Sequence, residues 1–176
     1  MTPIGHASIS YIAGSWYKPY LIFFVAGGVL PDVDFIFLPF SFFNEIHRVV
    51  THNVFFVLFS AIIIALLFKN KYSIHIIFLI VILTGLLHLF IDSIIDSNPT
   101  NGIGVALFYP VSGEFFSPFN LVSKNYVHAD GWDNMQQMIR VNMKYIIFEI
   151  PFLIFAVFIF ISRKRHYNIP DYRDGL

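Results

Sequence analysis

Residues 74–95 read IHIIFLIVILTGLLHLFIDSII, an apolar run long enough to cross a membrane as one helix. About 20 apolar residues in a helix span the hydrocarbon core of a bilayer. The polar side chains in this run are few, and they are His75, Thr84, His88, Asp92 and Ser93. The stretch therefore predicts a transmembrane helix that carries a histidine and an aspartate towards its C-terminal end.

The whole chain has the composition of a membrane protein. Its 176 residues are 57% hydrophobic and 19% aromatic, the mean hydropathy is +0.70, and only 12% are charged. Soluble domains carry about 25% charged residues. Cysteine is absent, which excludes thiolate metal sites, cysteine nucleophiles and disulfides, and leaves His, Asp and Glu as the plausible protein ligands.

Four further apolar stretches complete the predicted fold. Residues 53–68 and 145–161 are predicted membrane helices, whereas 4–13 and 20–30 are too short alone and are predicted to form a hairpin that turns at 14–19. The expectation is an all-α, polytopic transmembrane helical bundle with about four to five membrane segments and one short N-terminal helical hairpin. Residues 97–142 are predicted to be a long external or re-entrant loop. We expect one membrane-embedded domain over 1–162 and a polar, basic tail over 163–176.

The distribution of positive charge predicts the orientation. With this layout, one face carries Lys18, Lys69, Lys71, Arg163, Lys164, Arg165 and Arg173, and the other carries Arg48, Lys124, Arg140 and Lys144. The positive-inside rule assigns the first face to the cytoplasm. Formal net charge is zero and no basic cluster exists beyond residues 163–165, so a nucleic-acid partner is not expected.

Two carboxylates follow the second apolar stretch. The motif LPDVDF at residues 30–35 places Asp32 and Asp34 directly after a proline that ends the helix. One aspartate in such a place is often a cap or turn residue. Two, at alternating positions near the membrane surface, favour a bound cation, because an uncompensated carboxylate is costly there.

Imidazole and guanidinium groups precede the helix that starts near residue 53. The motif IHRVVTHN at residues 46–53 contains His47, Arg48, Thr51 and His52, close enough for one helical turn or its cap. They could simply be interfacial polar residues. Neutral imidazole is, however, the commonest metal ligand, and arginine is suited to bidentate binding of phosphate or carboxylate.

A third motif lies inside the longest apolar run. In GLLHLFIDSIID, residues 85–96, His88, Asp92 and Asp96 follow each other at four-residue intervals and therefore share one helix face. Ionisable groups inside a membrane helix should face the bundle and meet a partner or a cation. A structural hydrogen bond between His88 and Asp92 is the alternative, and Asp96 could be only a helix-terminal group.

The predicted topology brings these motifs together. The N-terminal hairpin returns His6 to the side that holds Asp32 and Asp34, and the same side receives the start of the helix after residue 53 and the end of the longest helix. Four separate segments then converge on one patch. Glu149 is an additional candidate with equal structural and functional interpretations. His128 and Asp130 could belong to a lid but are better explained as part of a solvated loop.

The order of these motifs resembles the YdjM-like family of membrane-bound, metal-dependent hydrolases, described as LexA-binding, inner-membrane-associated hydrolases. The resemblance is carried by Gly5 and His6, LPDVDF, HRVVTH, GLLHLFID, residues 99–102 (PTNG), and the pair Tyr109 and Pro110, over about residues 1–120. It implies an inner-membrane location and a metal-dependent hydrolase, but no substrate. Departures from the family pattern are the added Asp96 and Phe35, where some members have histidine.

These observations predict a hydrolase that uses one or two divalent ions, with zinc first and manganese or magnesium as alternatives. The candidate metal ligands are His6, Asp34, His47, His52, His88 and Asp92, and the candidate catalytic residues are Asp32, Arg48 and Asp96. A site at the extracytoplasmic surface predicts a membrane lipid or a lipid-linked phosphoester as substrate. The rival interpretations are a small metal-ion or proton transporter and a non-catalytic membrane regulator. The sequence does not indicate which proteins, if any, are partners.

Overall fold

The computed structural model describes residues 1–95, 97–98, 102–119 and 147–167. Its helices, numbered along the chain, are α1 (Pro3–Gly14), α2 (Leu21–Val29), α3 (Phe43–Ile46), α4 (Val54–Phe68), α5 (Ile74–Ile95) and α6 (Ile150–Tyr167). Two 3₁₀ helices, Lys18–Tyr20 and Leu30–Phe37, flank α2. Two-residue strands β1 (Ser97–Asn98) and β2 (Gly102–Ile103) pair in antiparallel orientation. Apart from this pairing and one isolated bridge between Val105 and Phe116, the regular secondary structure of the described residues is helical, which confirms the all-α class.

The helices α1 and α2 form the N-terminal hairpin, and α2 is the central element. Helix α1 packs against α2 and α6, and α5 packs against α2 and α4. The starts of α1, α4 and α6 and the ends of α2 and α5 therefore lie at one end of the bundle. The α1–α2 and α4–α5 connections lie at the opposite end.

Two adjacent glycines allow α2 to approach both of its neighbours. A Cβ at Gly27 would collide with Thr84 Oγ1 on α5, and a Cβ at Gly28 would collide with Ser10 Oγ on α1. Small residues at helix contacts permit such close packing in membrane proteins. The close approach also brings the backbone carbonyl of Gly28 within reach of α5.

Polar caps fix the starts of α1 and α4, at the end of the bundle where α2 and α5 end. Thr2 caps α1, with its hydroxyl accepting from Gly5 N, and Asn53 caps α4, with its side-chain oxygen accepting from Phe56 N at 2.8 Å. The Asn53 amide also donates to the carbonyls of Val49 and Val50 at 2.9 and 2.8 Å. These bonds satisfy helix-terminal groups and hold the segment before α4 in place.

The outward faces of the helices are strongly apolar. Phe59 and Leu67 on α4 and Phe158 on α6 are 63%, 72% and 62% exposed. Soluble monomers seldom expose large contiguous apolar patches. Lipid is therefore the solvent that suits these faces.

Two segments of the described chain are long and apolar enough to cross a membrane, Lys18–Phe37 and Ile74–Ile94. The first combines α2 with both 3₁₀ helices. Helix α4 has 15 residues, about 22 Å of helix, and falls short of the ~30 Å hydrocarbon core. The apolar part of α6, Ile150–Arg163, is likewise short. The described residues thus supply two candidate spans, fewer than the four to five segments predicted.

The structure differs from the sequence-based predictions in the bounds of the last helix and in the conformation of residues 47–52. The helix predicted over 145–161 begins at Ile150 and continues to Tyr167. Residues 47–52 form turns rather than the predicted helical turn, because α3 ends at Ile46 and His47 adopts an extended conformation. Asp96, most of the predicted loop including His128 and Asp130, and residues 168–176 lie outside the described residues.

Candidate metal centre

Four buried side chains meet at the end of the bundle where α2 and α5 end. Each can offer one ligand atom, and these four atoms lie within 4.8 Å of one another. The side chains come from the second 3₁₀ helix, the turn before α4, and α5, and they are Asp32, His52, His88 and Asp92. None is more than 4% exposed. Two imidazoles and two carboxylates from distant parts of the sequence therefore lie together in one buried site.

These four ligand atoms form a small cage with short distances between them. The Nε2 atoms of His52 and His88 are 3.2 Å apart. His52 Nε2 lies 3.4 Å from both Asp32 Oδ1 and Asp92 Oδ2. His88 Nε2 lies 3.7 Å from Asp32 Oδ1 and 3.3 Å from Asp92 Oδ2.

Ideal coordination geometries give reference values for these spacings. Metal–ligand bonds of about 2.0–2.2 Å in a tetrahedral zinc site put neighbouring ligand atoms about 3.3–3.6 Å apart. Octahedral magnesium, with bonds of about 2.0–2.1 Å, would bring neighbouring oxygens to about 3.0 Å. The five distances of 3.2–3.7 Å are compatible with ligands around one small divalent ion.

The ring of His88 is oriented by the backbone of α2. Its Nδ1 lies 2.7 Å from the carbonyl oxygen of Gly28. A carbonyl only accepts, so Nδ1 carries the proton, and in the neutral ring the lone pair belongs to Nε2, which faces the cage. Hydrogen bonds of this kind orient metal-binding histidines.

The ring of His52 is oriented by a chain of two hydrogen bonds. The Thr51 hydroxyl donates to Asp34 Oδ2 at 2.9 Å, and His52 Nδ1 lies 3.1 Å from the same hydroxyl oxygen. Because the hydroxyl proton is directed to Asp34, the oxygen accepts from Nδ1, which again leaves the lone pair of a neutral ring on Nε2. His47 Nδ1 contacts Asp34 Oδ2 at 3.0 Å and holds this carboxylate from the other side.

The cage contains polar atoms that the protein alone does not satisfy. Two Nε2 lone pairs that face each other at 3.2 Å repel unless a proton or cation lies between them. Neither carboxylate oxygen of Asp32 has a hydrogen-bond partner among the described residues, although both are buried. Buried polar groups are normally paired, so the residues present fit a bound cation.

Charge in the cage also favours a cation at His52. Burial by itself would lower the pKa of this ring, but its contacts with the Asp32 and Asp92 carboxylates raise the pKa to about 9. Without a metal, His52 therefore holds a proton at neutral pH. A divalent ion would replace that proton, because metal binding requires neutral imidazole.

Asp34, His47 and His52 make up a second group of possible ligands. Asp34 Oδ2 is occupied by the contacts from Thr51 and His47, and it is 3.9 Å from His52 Nδ1. Burial lowers the pKa of His47, which keeps its ring neutral. Asp34 orients His52 through Thr51. Its Oδ1 atom is buried and has no hydrogen-bond partner among the described residues, so this group also retains an oxygen that can bind a cation.

His6 reaches the centre from α1, as the predicted hairpin requires. Its ring stacks on His88 with centroids 3.6 Å apart, and its Nε2 lies 2.9 Å from Asp92 Oδ1. The amino group of Met1 donates to the same oxygen at 2.7 Å. The Oδ1 atom of Asp92 therefore contacts His6, whereas its Oδ2 atom belongs to the four-atom cage.

The remaining candidates are Arg48, Glu149 and Asp96. Arg48 is 3% exposed and has a positive φ of 66°, and its carbonyl accepts from Ala106 N at 3.0 Å. Glu149 accepts hydrogen bonds from the backbone amide of Thr2 at 2.7 Å and from its hydroxyl, so it ties α6 to the start of α1. Asp96 lies outside the described residues.

A model of the YdjM inner membrane protein family matches residues 1–167. The chain belongs to this family. No curated protein and no solved structure matches it.

The match to the YdjM family covers every segment that builds the cage. It extends beyond the residues that carry the resemblance seen in the motifs, and it includes α6 with Glu149. The inner-membrane description agrees with the two candidate spans and with the apolar outer faces of the helices. The protein is therefore a membrane-associated helical protein whose buried His and Asp side chains can hold a metal ion.

The sequence did not predict the roles of Thr51 and Gly28, which orient the rings of His52 and His88. Thr51 was visible in HRVVTH, but its link between His52 and Asp34 depends on turns whose geometry no periodicity encodes. Gly28 contributes only a carbonyl, and the signal that could have found it is the pair of adjacent glycines in an otherwise bulky apolar helix.

Proposed function

We propose that this YdjM-family protein is a membrane-bound, metal-dependent hydrolase that cleaves a lipid or lipid-linked phosphoester at the extracytoplasmic surface. The observation that carries the proposal is the cage of His52, His88, Asp32 and Asp92, with its two Nε2 atoms 3.2 Å apart. A bound divalent ion would supply acidity to water and stabilise negative charge on the scissile group. Zinc is the first candidate, since the ligands mix imidazole with carboxylate.

Three of the four groups are enough to hold the ion of a catalytic site. Catalytic zinc sites keep one position open, as in sites with two histidines and one carboxylate. His52 and His88 have oriented Nε2 atoms, and Asp92 is fixed through His6. These three are the proposed ligands.

Asp32 is then the proposed general base. Its Oδ2 is buried and has no hydrogen-bond partner among the described residues, so it can accept the proton that the attacking water loses. A carboxylate beside the ion is the usual acceptor in metal-assisted hydrolysis. Arg48 is the proposed binding group for the phosphate oxygens, because guanidinium binds such oxygens through two parallel hydrogen bonds.

Support for a hydrolase rather than a transporter comes from the distribution of polar groups. An ion path requires ionisable groups through the full membrane depth. The buried ionisable side chains of the described residues are His6, Asp32, Asp34, His47, Arg48, His52, His88, Asp92 and Glu149. All of them belong to the end of the bundle opposite the connections that carry Lys18, Lys69 and Lys71. The same lysines support the extracytoplasmic placement through the positive-inside rule.

The test is turnover by the full-length protein purified in detergent. Mixed micelles of dioleoyl phosphatidic acid or dioleoyl phosphatidylglycerol are supplied with Zn²⁺, Mn²⁺ or Mg²⁺, and cleavage products are identified by mass spectrometry. We expect metal-dependent cleavage that His88→Ala abolishes. The matched control is His75→Ala, because His75 is exposed on the same helix at the other end. Stoichiometric metal without cleavage of any phosphoester lipid would contradict the proposed reaction.

A further inference from the structure

An apolar groove runs along one side of the bundle between α1, α2 and α6. Its volume is about 460 Å³, within the range of about 300–1,000 Å³ that is usual for small-molecule sites. Residues from all three helices line it, among them Ile4, Ala7, Val25, Val29, Leu153 and Val157. Ser8 is also in the lining, but its hydroxyl donates to the carbonyl of Ile4 at 2.8 Å. The groove therefore suits a hydrocarbon group.

The groove is about two thirds as long as one leaflet of a bilayer is deep, which is enough to hold part of an acyl chain. Its lining on α1 extends to Tyr11 and on α6 from Leu153 to Phe160. Seven residues of helix rise about 10 Å, and half of the hydrocarbon core is about 15 Å deep. A chain lying in the groove would thus run parallel to the acyl chains of the surrounding leaflet.

One end of the groove lies level with the metal centre. On α1, Ile4 precedes His6 by two residues. Val29 is the last residue of α2, and Asp32 follows it by three residues. Leu153 follows Glu149 by one helical turn, and Glu149 holds Thr2 at the start of α1. The same three elements therefore position both the groove and the polar end of the bundle.

We propose that this groove binds one acyl chain of the lipid substrate and so presents its headgroup at the metal centre. The inference rests on the proposed function and names the part of the substrate that the protein recognises inside the membrane. A lipid chain is the occupant that the surroundings favour, because the groove opens sideways among lipid-facing side chains and its lining by the described residues is almost entirely apolar. Its contribution is positioning by close packing, since moving a chain from lipid to an apolar groove gains no hydrophobic free energy.

The first test compares chain lengths in groove and control variants. Leu153→Trp fills the groove one turn from its polar end, and Leu58→Trp on α4 is the matched control, since the two leucines are 42% and 40% exposed. The substrate is the phosphoester lipid that the wild type cleaves, used with dioleoyl or with dihexanoyl chains. We expect Leu153→Trp to lower kcat/KM for the dioleoyl lipid by about tenfold or more, the scale on which filled pockets discriminate. Cleavage of the dihexanoyl lipid should be unchanged, and Leu58→Trp should affect neither. An equal loss for both lipids in Leu153→Trp, or no loss for either, would overturn the proposal.

The second test does not depend on turnover. Full-length protein is reconstituted in vesicles of phosphatidylethanolamine and phosphatidylglycerol that contain a phosphatidylcholine with a photoreactive acyl chain. We expect labelled peptides from α1, α2 and α6, with labelling reduced by Leu153→Trp but not by Leu58→Trp. Equal labelling of the outer faces of α4 and α5 would overturn the proposal. If no lipid is cleaved, the proposed function fails, and this measurement still decides whether the groove binds a chain.

A third measurement tests whether a second copy of the protein occupies the groove instead. The chain has no cysteine, so Val157→Cys introduces a single thiol on the groove. We expect monomers after oxidation in vesicles. Disulfide-linked dimers at Val157→Cys would show that the groove is a protein interface and would contradict the assignment to lipid.

Discussion

The Nε2 atoms of His52 and His88 face each other at 3.2 Å, while the opposite nitrogen of each ring is held by an acceptor. That acceptor is the Thr51 hydroxyl for His52 and the Gly28 carbonyl for His88. Both lone pairs of the neutral rings are therefore directed at the same point between two buried carboxylates. Two neutral rings in this arrangement repel each other, so the arrangement requires either a proton on His52 or a cation between the rings.

Asp32 and Asp92 are predicted to differ when each is replaced by asparagine. Asp92→Asn removes a proposed ligand and should reduce bound metal at least about tenfold. Asp32→Asn should retain the metal but lose turnover, because the amide cannot accept the proton from water. Metal content by inductively coupled plasma mass spectrometry, together with lipid cleavage, measures both. Loss of metal in Asp32→Asn with retention in Asp92→Asn would reverse the two roles.

Thr51 is predicted to control metal affinity without contacting the metal. Thr51→Val removes the hydroxyl between His52 Nδ1 and Asp34 and should weaken metal binding about 10–100-fold. Thr51→Ser keeps the hydroxyl and should retain most of the affinity. Competition with a fluorescent zinc chelator measures the dissociation constant. A merely structural role would give equal affinities for the two variants at matched Tm, and that result would contradict the hydrogen-bond chain.

Gly28 is predicted to be essential for the packing of α2. Gly28→Ala places a Cβ against Ser10 Oγ and should destabilise the protein by about 1–3 kcal/mol through overpacking. The resulting shift of the Gly28 carbonyl should also lower metal content. Gly113→Ala is the control, since a Cβ there meets no atom within 4 Å. Thermal unfolding in detergent tests this, and an unchanged Tm in Gly28→Ala would show that α1 and α2 are farther apart than described.

The stability of the metal-free protein is predicted to fall as the pH rises. The pKa of His52 is raised from 6.5 to about 9 in the folded state, so its protonated form stabilises the fold. This contribution is complete below the unfolded pKa of about 6.5 and disappears as the pH rises through about 9. The Tm after chelation should therefore decrease across this interval, and His52→Gln should remove this part of the decrease. A Tm that increases between these pH values in the wild type would contradict the assigned environment of His52.

The helical class and the proximity of the three motifs could be predicted from the sequence, because both follow from the lengths of the apolar stretches and from helical spacing. Apolar length marks α5 without ambiguity, and the four-residue spacing of His88 and Asp92 puts them on one face. The hairpin follows from the interruption at residues 14–19, and it correctly returns His6 to the end that holds Asp92. Topology alone was enough to bring these groups together.

The finer arrangement depends on tertiary contacts that no local pattern encodes. Asp32, rather than Asp34, lies in the four-atom cage. Both residues belong to the 3₁₀ helix that follows α2, and this helix directs their two carboxylates to different partners. The segment 47–52 adopts turns fixed by Asn53 and by the strained backbone of Arg48, not by helical periodicity. The predicted number of spans exceeded the two that the described helices support, because the stretches 53–68 and 145–161 were counted as spans although each is shorter than about 20 residues.

The position of a bound metal tests the central claim most directly. Crystals of the zinc-loaded protein should give one anomalous-scattering peak at the zinc edge, about 2.0–2.2 Å from the Nε2 atoms of His52 and His88 and from an Asp92 oxygen. A strong peak at another place, with none between these two rings, would contradict the account of this centre.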